Sequence, residues 1–204
     1  MNDAVHPYTK RLPLNDFFNI VNDITPLKKD EQMALAKAVR IRQFNLGDAW
    51  IKEGMSSHQL AFVSEGYLRK YYRQGGREVT DGFFFDNTFA GDLPGMLARR
   101  PSLCHLVAME PTELFLLHVD TLEALAQKHH AIDRLLRSIV ERDYIQVYYR
   151  HHHLQTVPAQ ERYAQLIHRQ PLVDQRAEPY HIASFLGITL GQLSRFRGTI
   201  KKPG

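Results

Sequence analysis

The spacing of hydrophobic and polar positions changes period twice along the chain. Leu14, Phe17, Phe18 and Val21 recur at helical spacing and predict a short helix ending near Thr25-Pro26. Asp30 or Glu31 opens a second helix with Met33, Ala34, Ala36 and Val39 apolar, and residues 1–13 show no period. From Val39 the period becomes two. Val39, Ile41 and Phe44 alternate with charge before a turn at Phe44-Asn-Leu-Gly-Asp48, and Trp50-Ile51 is a short strand closed by Glu53-Gly54. Strands follow over 59–64 and 67–73, joined at Glu65-Gly66, and over 78–85 after the Gln74-Gly75-Gly76 tip. A loop then leads to a last strand pair, 103–109 and 113–118, across Glu110-Pro111. Short strands punctuated by glycine imply an antiparallel sandwich or roll.

From Val119 the pattern is helical again: 120–127, a long helix over 132–155, and 159–169 after Pro158. Ile132, Ile139 and Gln146 lie seven apart in the long helix, a spacing that suits a self-association seam; a single helix packed on the roll is the plainer alternative. The final stretch, 180–200, predicts two helices around a tight turn. Ile182, Ala183, Phe185 and Leu186 give the first an apolar face, and Gly187 breaks it. Thr189 restarts the chain as an N-cap with Gln192 three residues on, and Leu193, Phe196 and Ile200 follow at helical spacing. A small residue, a glycine four later and an apolar residue six beyond that is the packing pattern of a helix-turn-helix. The second helix would turn Gln192, Ser194, Arg195 and Arg197 outward, toward a DNA major groove. A helical hairpin capping the domain is the competing reading.

Charge sharpens this picture. Residues 1–120 hold 14 Lys and Arg against 15 Asp and Glu, whereas residues 121–204 hold 12 against 7. From Pro179 onward there are Arg195, Arg197, Lys201 and Lys202 and no acid, as expected of a phosphate-binding end on a near-neutral body. An apolar fraction of 44% gives 204 residues enough material for a core, yet no run is long enough to span a bilayer, so a cytoplasmic location is expected. The single cysteine, Cys104, rules out a disulfide framework and reads as a small packing residue.

The segments Phe44-Asn-Leu-Gly-Asp-Ala-Trp-Ile-Lys-Glu-Gly54 and Leu60-Ala-Phe-Val-Ser-Glu-Gly66 resemble the cyclic-nucleotide-binding β-roll. With a long helix and a helix-turn-helix behind them, the chain from Leu14 to Ile200 resembles the Crp/Fnr superfamily of bacterial transcription regulators. The resemblance implies an α+β chain: an antiparallel, jelly-roll-like sensor domain over 14–130, a dimerisation helix over 131–156 and a small helix-turn-helix domain over 157–204. In that family a phosphate-binding cassette, similar here to Phe89–Cys104, supplies a glycine, an acid for the ribose and an arginine for the cyclic phosphate. Gly91 is present and Asp92 stands for the usual glutamate. Ser102 falls where the phosphate arginine belongs, with Leu103 and Cys104 after it, and Pro94 removes an amide donor from the short helix. Arg99 and Arg100 come too early unless the loop slips. A lost arginine–phosphate pair forfeits about 1.5–3 kcal/mol, so tight cyclic-nucleotide binding is not expected and the effector is unknown.

In the second helix of the motif, Leu190 and Gly191 follow Thr189 where the best-known members carry Arg-Glu. Arg195 matches the family's later arginine and is the leading base-reading candidate, with Gln192 and Ser194 next. Arg197, Lys201 and Lys202 are phosphate candidates. Gly191 and Gly198 each weaken the helix by about 1 kcal/mol, and no wing is expected behind it. Double-stranded DNA, a second copy of the chain and an unidentified small molecule are the implied partners, with RNA polymerase a further candidate. A ligand-sensing roll whose degenerate helix-turn-helix contacts proteins instead of DNA is the alternative.

The 11 histidines do not redirect this reading. Neighbouring histidines in His129-His130 and His151-His152-His153 would point about 100° apart on a helix, and no His-x₃-His pair completes a metal set. A cupin-type metalloenzyme would need a His-x-His with a downstream glutamate, and His105 and His118 stand alone. No nucleophile triad or phosphate loop points to an enzyme.

Overall fold

The computed structural model describes residues 14–200. Two helices, α1 (Asn15–Ile24) and α2 (Lys29–Ala38), precede eight strands: β1 (Arg40–Phe44), β2 (Ala49–Ile51), β3 (Gln59–Glu65), β4 (Tyr67–Gln74), β5 (Arg77–Phe85), β6 (Thr88–Ala90), β7 (His105–Ala108) and β8 (Thr112–His118). A short helix, α3 (Leu93–Ala98), lies between β6 and β7, and α4 (Val119–Ala126) follows β8. The C-terminal part holds α5 (His130–Thr156), α6 (Ala159–Arg169), α7 (Pro171–Arg176), α8 (Pro179–Leu186) and α9 (Leu190–Ile200).

The strands form two four-stranded antiparallel sheets, ordered β1-β8-β3-β6 and β2-β7-β4-β5. Alternate residues of β3 and β8 serve two cores, which explains their unbroken apolar runs. Ala61, Val63, Leu114 and Leu116 point between the sheets, onto Leu68, Leu106 and Cys104. Phe62, Phe115 and Leu117 point the other way, where Phe17 and Val21 of α1, Leu35 of α2 and Leu122 of α4 cover them. Gly66 makes the tight β3–β4 turn at φ +91°, and a Cβ there would lie 2.5 Å from the Pro111 carbonyl.

The long helix departs from the expected seam. Ile132 and Ile139 are buried in the chain's own core beside Leu135, Phe17 and Leu122, so they cannot also face a second copy. Seven-residue spacing reports an apolar stripe and does not say what covers it. The exposed large apolar positions of α5 lie further along it, at Tyr144, Ile145, Val147, Tyr148, Tyr149 and Leu154.

The outer face of β4–β5 is a docking platform. Tyr67, Phe83 and Phe85 share a buried cluster with Tyr163 and Leu166 of α6, Val173 of α7, Ile182, Ala183 and Leu186 of α8 and Leu193 of α9. Two elements were not anticipated. β6 pairs three residues with β3, too few for a period of two to show. α7 is six residues long, starts at Pro171 and offers no complete apolar repeat. The strand expected from Leu103 starts at His105; Leu103 itself is 75% exposed.

Candidate nucleic-acid interface and ligand cassette

The α8–α9 pair forms as its residues dictate. Gly187 ends α8 in the left-handed region, at φ +65°, and the Ile188 amide donates to the Ala183 carbonyl at 3.0 Å. Ala183 and Leu193 are both buried where the helices meet. The cap is reciprocal: the Thr189 amide donates to Gln192 Oε1 at 2.9 Å, and the Gln192 amide donates to Thr189 Oγ1 at 3.2 Å. Gln192 therefore spends its amide oxygen on the cap. Gly191, Ser194, Arg195, Gly198 and Thr199 form one exposed face at helical spacing.

The expected contact residues separate on this helix. Ser194 and Arg195 are exposed, and Thr189 lies exposed at its start. Arg197 is turned inward, with its Nε donating to Asp174 Oδ1 at 2.8 Å, the same oxygen that accepts from the Tyr163 hydroxyl at 2.8 Å. Burial disfavours the Arg197 charge, but these partners outweigh it and hold the group protonated. Arg197 is thus committed to tying α9 to α6 and α7, which its spacing from Arg195 could not reveal. Lys201 and Lys202 lie outside the described residues.

The cassette is likewise divided. Asp92 is buried at the start of α3, and its Oδ2 has no hydrogen-bond partner. Gly95 leaves room for that carboxylate, because a Cβ there would sit 2.3 Å from Oδ2. Gly91 is buried but not crowded, its nearest neighbours being 3.8 Å from a would-be Cβ. Ser102 is buried and closed on itself: Oγ accepts from the Cys104 amide and donates to the Cys104 carbonyl, both at 3.1 Å. Burial pushes the neighbouring Cys104 thiol up. Arg99 turns outward at φ +51° and pairs with Asp120 and Glu123 of α4, each at 3.1 Å. Arg100 and Leu103 are exposed. Neither arginine has slipped into the cassette.

The polar groups that join roll and helices leave no local signature of their pairing in the sequence. Lys70 of β4 pairs with Asp81 of β5 at 3.1 Å, and Arg150 of α5 closes on the same carboxylate while stacking 4.5 Å from the Phe185 ring centroid. Burial disfavours the Asp81 charge, but Lys70 and Arg150 outweigh it and keep its pKa low. The Thr80 amide donates to Ser184 Oγ at 3.0 Å, and Ser184 Oγ donates to the Glu78 carbonyl at 3.3 Å. Arg176 of α7 bridges Asp86 and Glu110, and its carbonyl accepts from the Tyr67 hydroxyl at 3.3 Å. The alternation of charge along β4 and β5 was the available signal, but it does not name a partner 69 residues away.

Residues 41–129, the span of the roll, match the cyclic nucleotide-binding domain family. Among solved structures, FixK2 of Bradyrhizobium japonicum is similar over 79% of this chain and 84% of its own, at 18% identity and a TM-score of 0.68. The c-di-GMP-responsive global regulator CLP of Xanthomonas campestris is similar over 85% and 92%, at 15% and 0.64. The Thermus thermophilus catabolite activator protein is similar over 87% and 85%, at 21% and 0.56. No curated protein matches the chain. The roll is thus similar to a cyclic nucleotide-binding domain, over somewhat less than half of the chain. Over most of its length the chain shares its fold with these solved structures. Among the described residues no helix is long and apolar enough to cross a membrane.

Proposed function

We propose that the chain is a DNA-binding transcription regulator of the Crp/Fnr type, acting as a homodimer in the cytoplasm. Its parts are a sensor roll over 14–130, a dimerisation helix over 131–156 and a helix-turn-helix domain over 157–204. The observation that carries the reading is the outer face of α9, where Arg195 stands exposed, with no ion pair among the described residues, on a helix braced by a reciprocal cap. Arg195 reads a base, Ser194 and Thr189 contact the adjoining backbone, and Gln192 positions the helix start. Lys201 and Lys202 add phosphate contacts, while Arg197 braces the helix from within.

Fluorescence anisotropy with the chain's own promoter DNA tests this. Arg195→Ala should cost about 1–3 kcal/mol, roughly 5- to 150-fold in Kd, against the specific site. Wild-type binding should also weaken steeply with salt. Equal affinity of wild type and variant for that DNA would overturn the assignment.

The cassette has lost its phosphate anchor. Ser102 offers a hydroxyl bonded to its own loop, and Arg99 is held by α4. Calorimetry with cyclic AMP and cyclic GMP should give Kd values weaker than about 100 µM, since one charge-assisted pair is missing and a buried carboxylate, Asp92, remains. Tight binding of either nucleotide would refute the loss.

A second reading has specific support: α9 with Gly191 and Gly198 exposed and Arg197 engaged presents few cations, as a protein-contacting helix would. It predicts no salt-steep DNA binding at micromolar protein.

A further inference from the structure

We propose that the junction between β5, α5, α6 and α8 is a binding site for an amphipathic monocarboxylate, an aryl or medium-chain alkyl acid, beside the nucleotide cassette but lined by none of its residues. A cavity of about 270 Å³ opens there. That is near the lower end of small-molecule pockets, roughly 300–1,000 Å³. One wall is apolar, with Phe185 of α8, Val147 of α5 and Leu166 of α6. Such a wall takes the body of a ligand, and the head must be chosen by the polar groups.

Those groups are out of balance. Lys70 and Arg150 share the single carboxylate of Asp81. Arg162 of α6 has none: its two terminal nitrogens donate to the Val157 and Leu186 carbonyls, at 2.6 and 3.0 Å. Among the described residues no carboxylate comes within ion-pair reach of it. The Nε atoms of Arg150 and Arg162 are both buried without a hydrogen-bond partner, and both residues line the cavity. A buried donor left unpaired costs about 1–3 kcal/mol, more for a charged group, so the two Nε atoms favour an anionic acceptor in a cavity that also holds the unpaired Gln165 Oε1 and the carboxylate of Asp143. Arg169, exposed at the rim, adds to the positive field.

Asp143 of α5 fixes the other limit. It lines the cavity with no ion pair, and burial pushes its carboxyl up, aided by Asp81 and Asp92 against the pull of Lys70. Asp143 and Asp81 already place two carboxyl groups at that end, so a ligand with one carboxylate suits the remaining donors better than a diacid or a phosphate dianion. The occupant would touch β5, α5, α6 and α8 together, and its binding would strengthen the seating of α8 on β5. Its role as an effector rests on the regulator reading, whereas its binding does not.

The test is calorimetry on the full chain with benzoate, 3-phenylpropionate and octanoate, each beside its uncharged amide, with DNA binding measured separately. At least one acid should bind about tenfold or more tighter than its amide. Arg162→Gln should abolish that binding. Arg169→Gln, which removes a rim charge and no packing, should weaken it about three- to tenfold while the melting curve stays unchanged. No binding by any of the three acids at about 10 mM, equal binding of acid and amide, or full affinity in a folded Arg169→Gln would each overturn the proposal. DNA binding that survives such a failure would leave the regulator reading standing, and its loss with acid binding intact would remove only the effector role.

Discussion

At the residue scale, Asp81 holds roll and long helix together. Its carboxylate is the shared counter-charge of Lys70 and Arg150, and all three side chains are largely buried. Asp81→Asn keeps the shape and removes the charge, leaving two cations facing each other across the junction. Removing one partner of a buried pair costs about 3–5 kcal/mol, and the partial exposure here lowers that to about 2–4 kcal/mol. Urea unfolding should show a loss of that size in the midpoint. A variant within about 0.5 kcal/mol of wild type would mean that solvent already screens the cluster. The same residue marks the limit of what the sequence discloses about the site. The Thr189–Gln192 cap and the exposed position of Arg195 were legible because a cap and a helix face are local patterns. Arg197 was misjudged because its partner Asp174 lies on a short helix with no period of its own, and the junction was invisible because its partners are far apart in sequence.

At the element scale, most of the fold was readable, since each strand of β3, β4, β5 and β8 alternates or runs apolar between glycine turns. The position of α8 was not readable. Its apolar face suits a partner helix and a sheet equally well, and only the structure shows that β5 takes part of it. His181 at that junction gives a pH signature. Burial is the main cause lowering its pKa, to about 4 from 6.5, with Arg69 adding to the effect and Glu78 opposing it. The undocked or unfolded chain therefore binds a proton between about pH 6.5 and 4 that the docked chain refuses. Stability from burying neutral His181 is complete above pH 6.5 and is lost as pH falls toward 4. Melting temperatures across that window should fall more for wild type than for His181→Gln, which cannot titrate. Parallel curves for the two proteins would show that His181 is solvated in the folded state.

At the scale of the whole molecule, α5 splits into two halves with different work. Its first half is consumed by the chain's own core through Ile132, Leu135 and Ile139. Its second half turns Asp143, Arg150 and His153 toward the cavity and leaves Tyr144, at 68% exposure, Ile145 and Tyr148 on the open side. Isolated exposed apolar residues are ordinary, whereas an aromatic and aliphatic stripe at i, i+1 and i+4 on one helix is the kind of surface a partner covers. In the proposed homodimer the seam is therefore expected at 144–148, beyond the heptad that starts at Ile132. Sedimentation velocity at micromolar concentration should show a dimer for the wild type. Tyr148→Glu should give a monomer, because it buries an unpaired charge in the seam while touching nothing in the monomer's core. Its melting midpoint at a concentration where the wild type is itself monomeric should be unchanged within about 0.5 kcal/mol. Two half-sites about one helical turn apart need two tethered α9 helices, so the monomeric variant should also lose specific DNA binding while keeping weak, salt-sensitive attraction to any duplex. A Tyr148→Glu protein that still sediments as a dimer would place the seam on another face. One that is monomeric yet binds the specific site at wild-type affinity would show that a single α9 is enough.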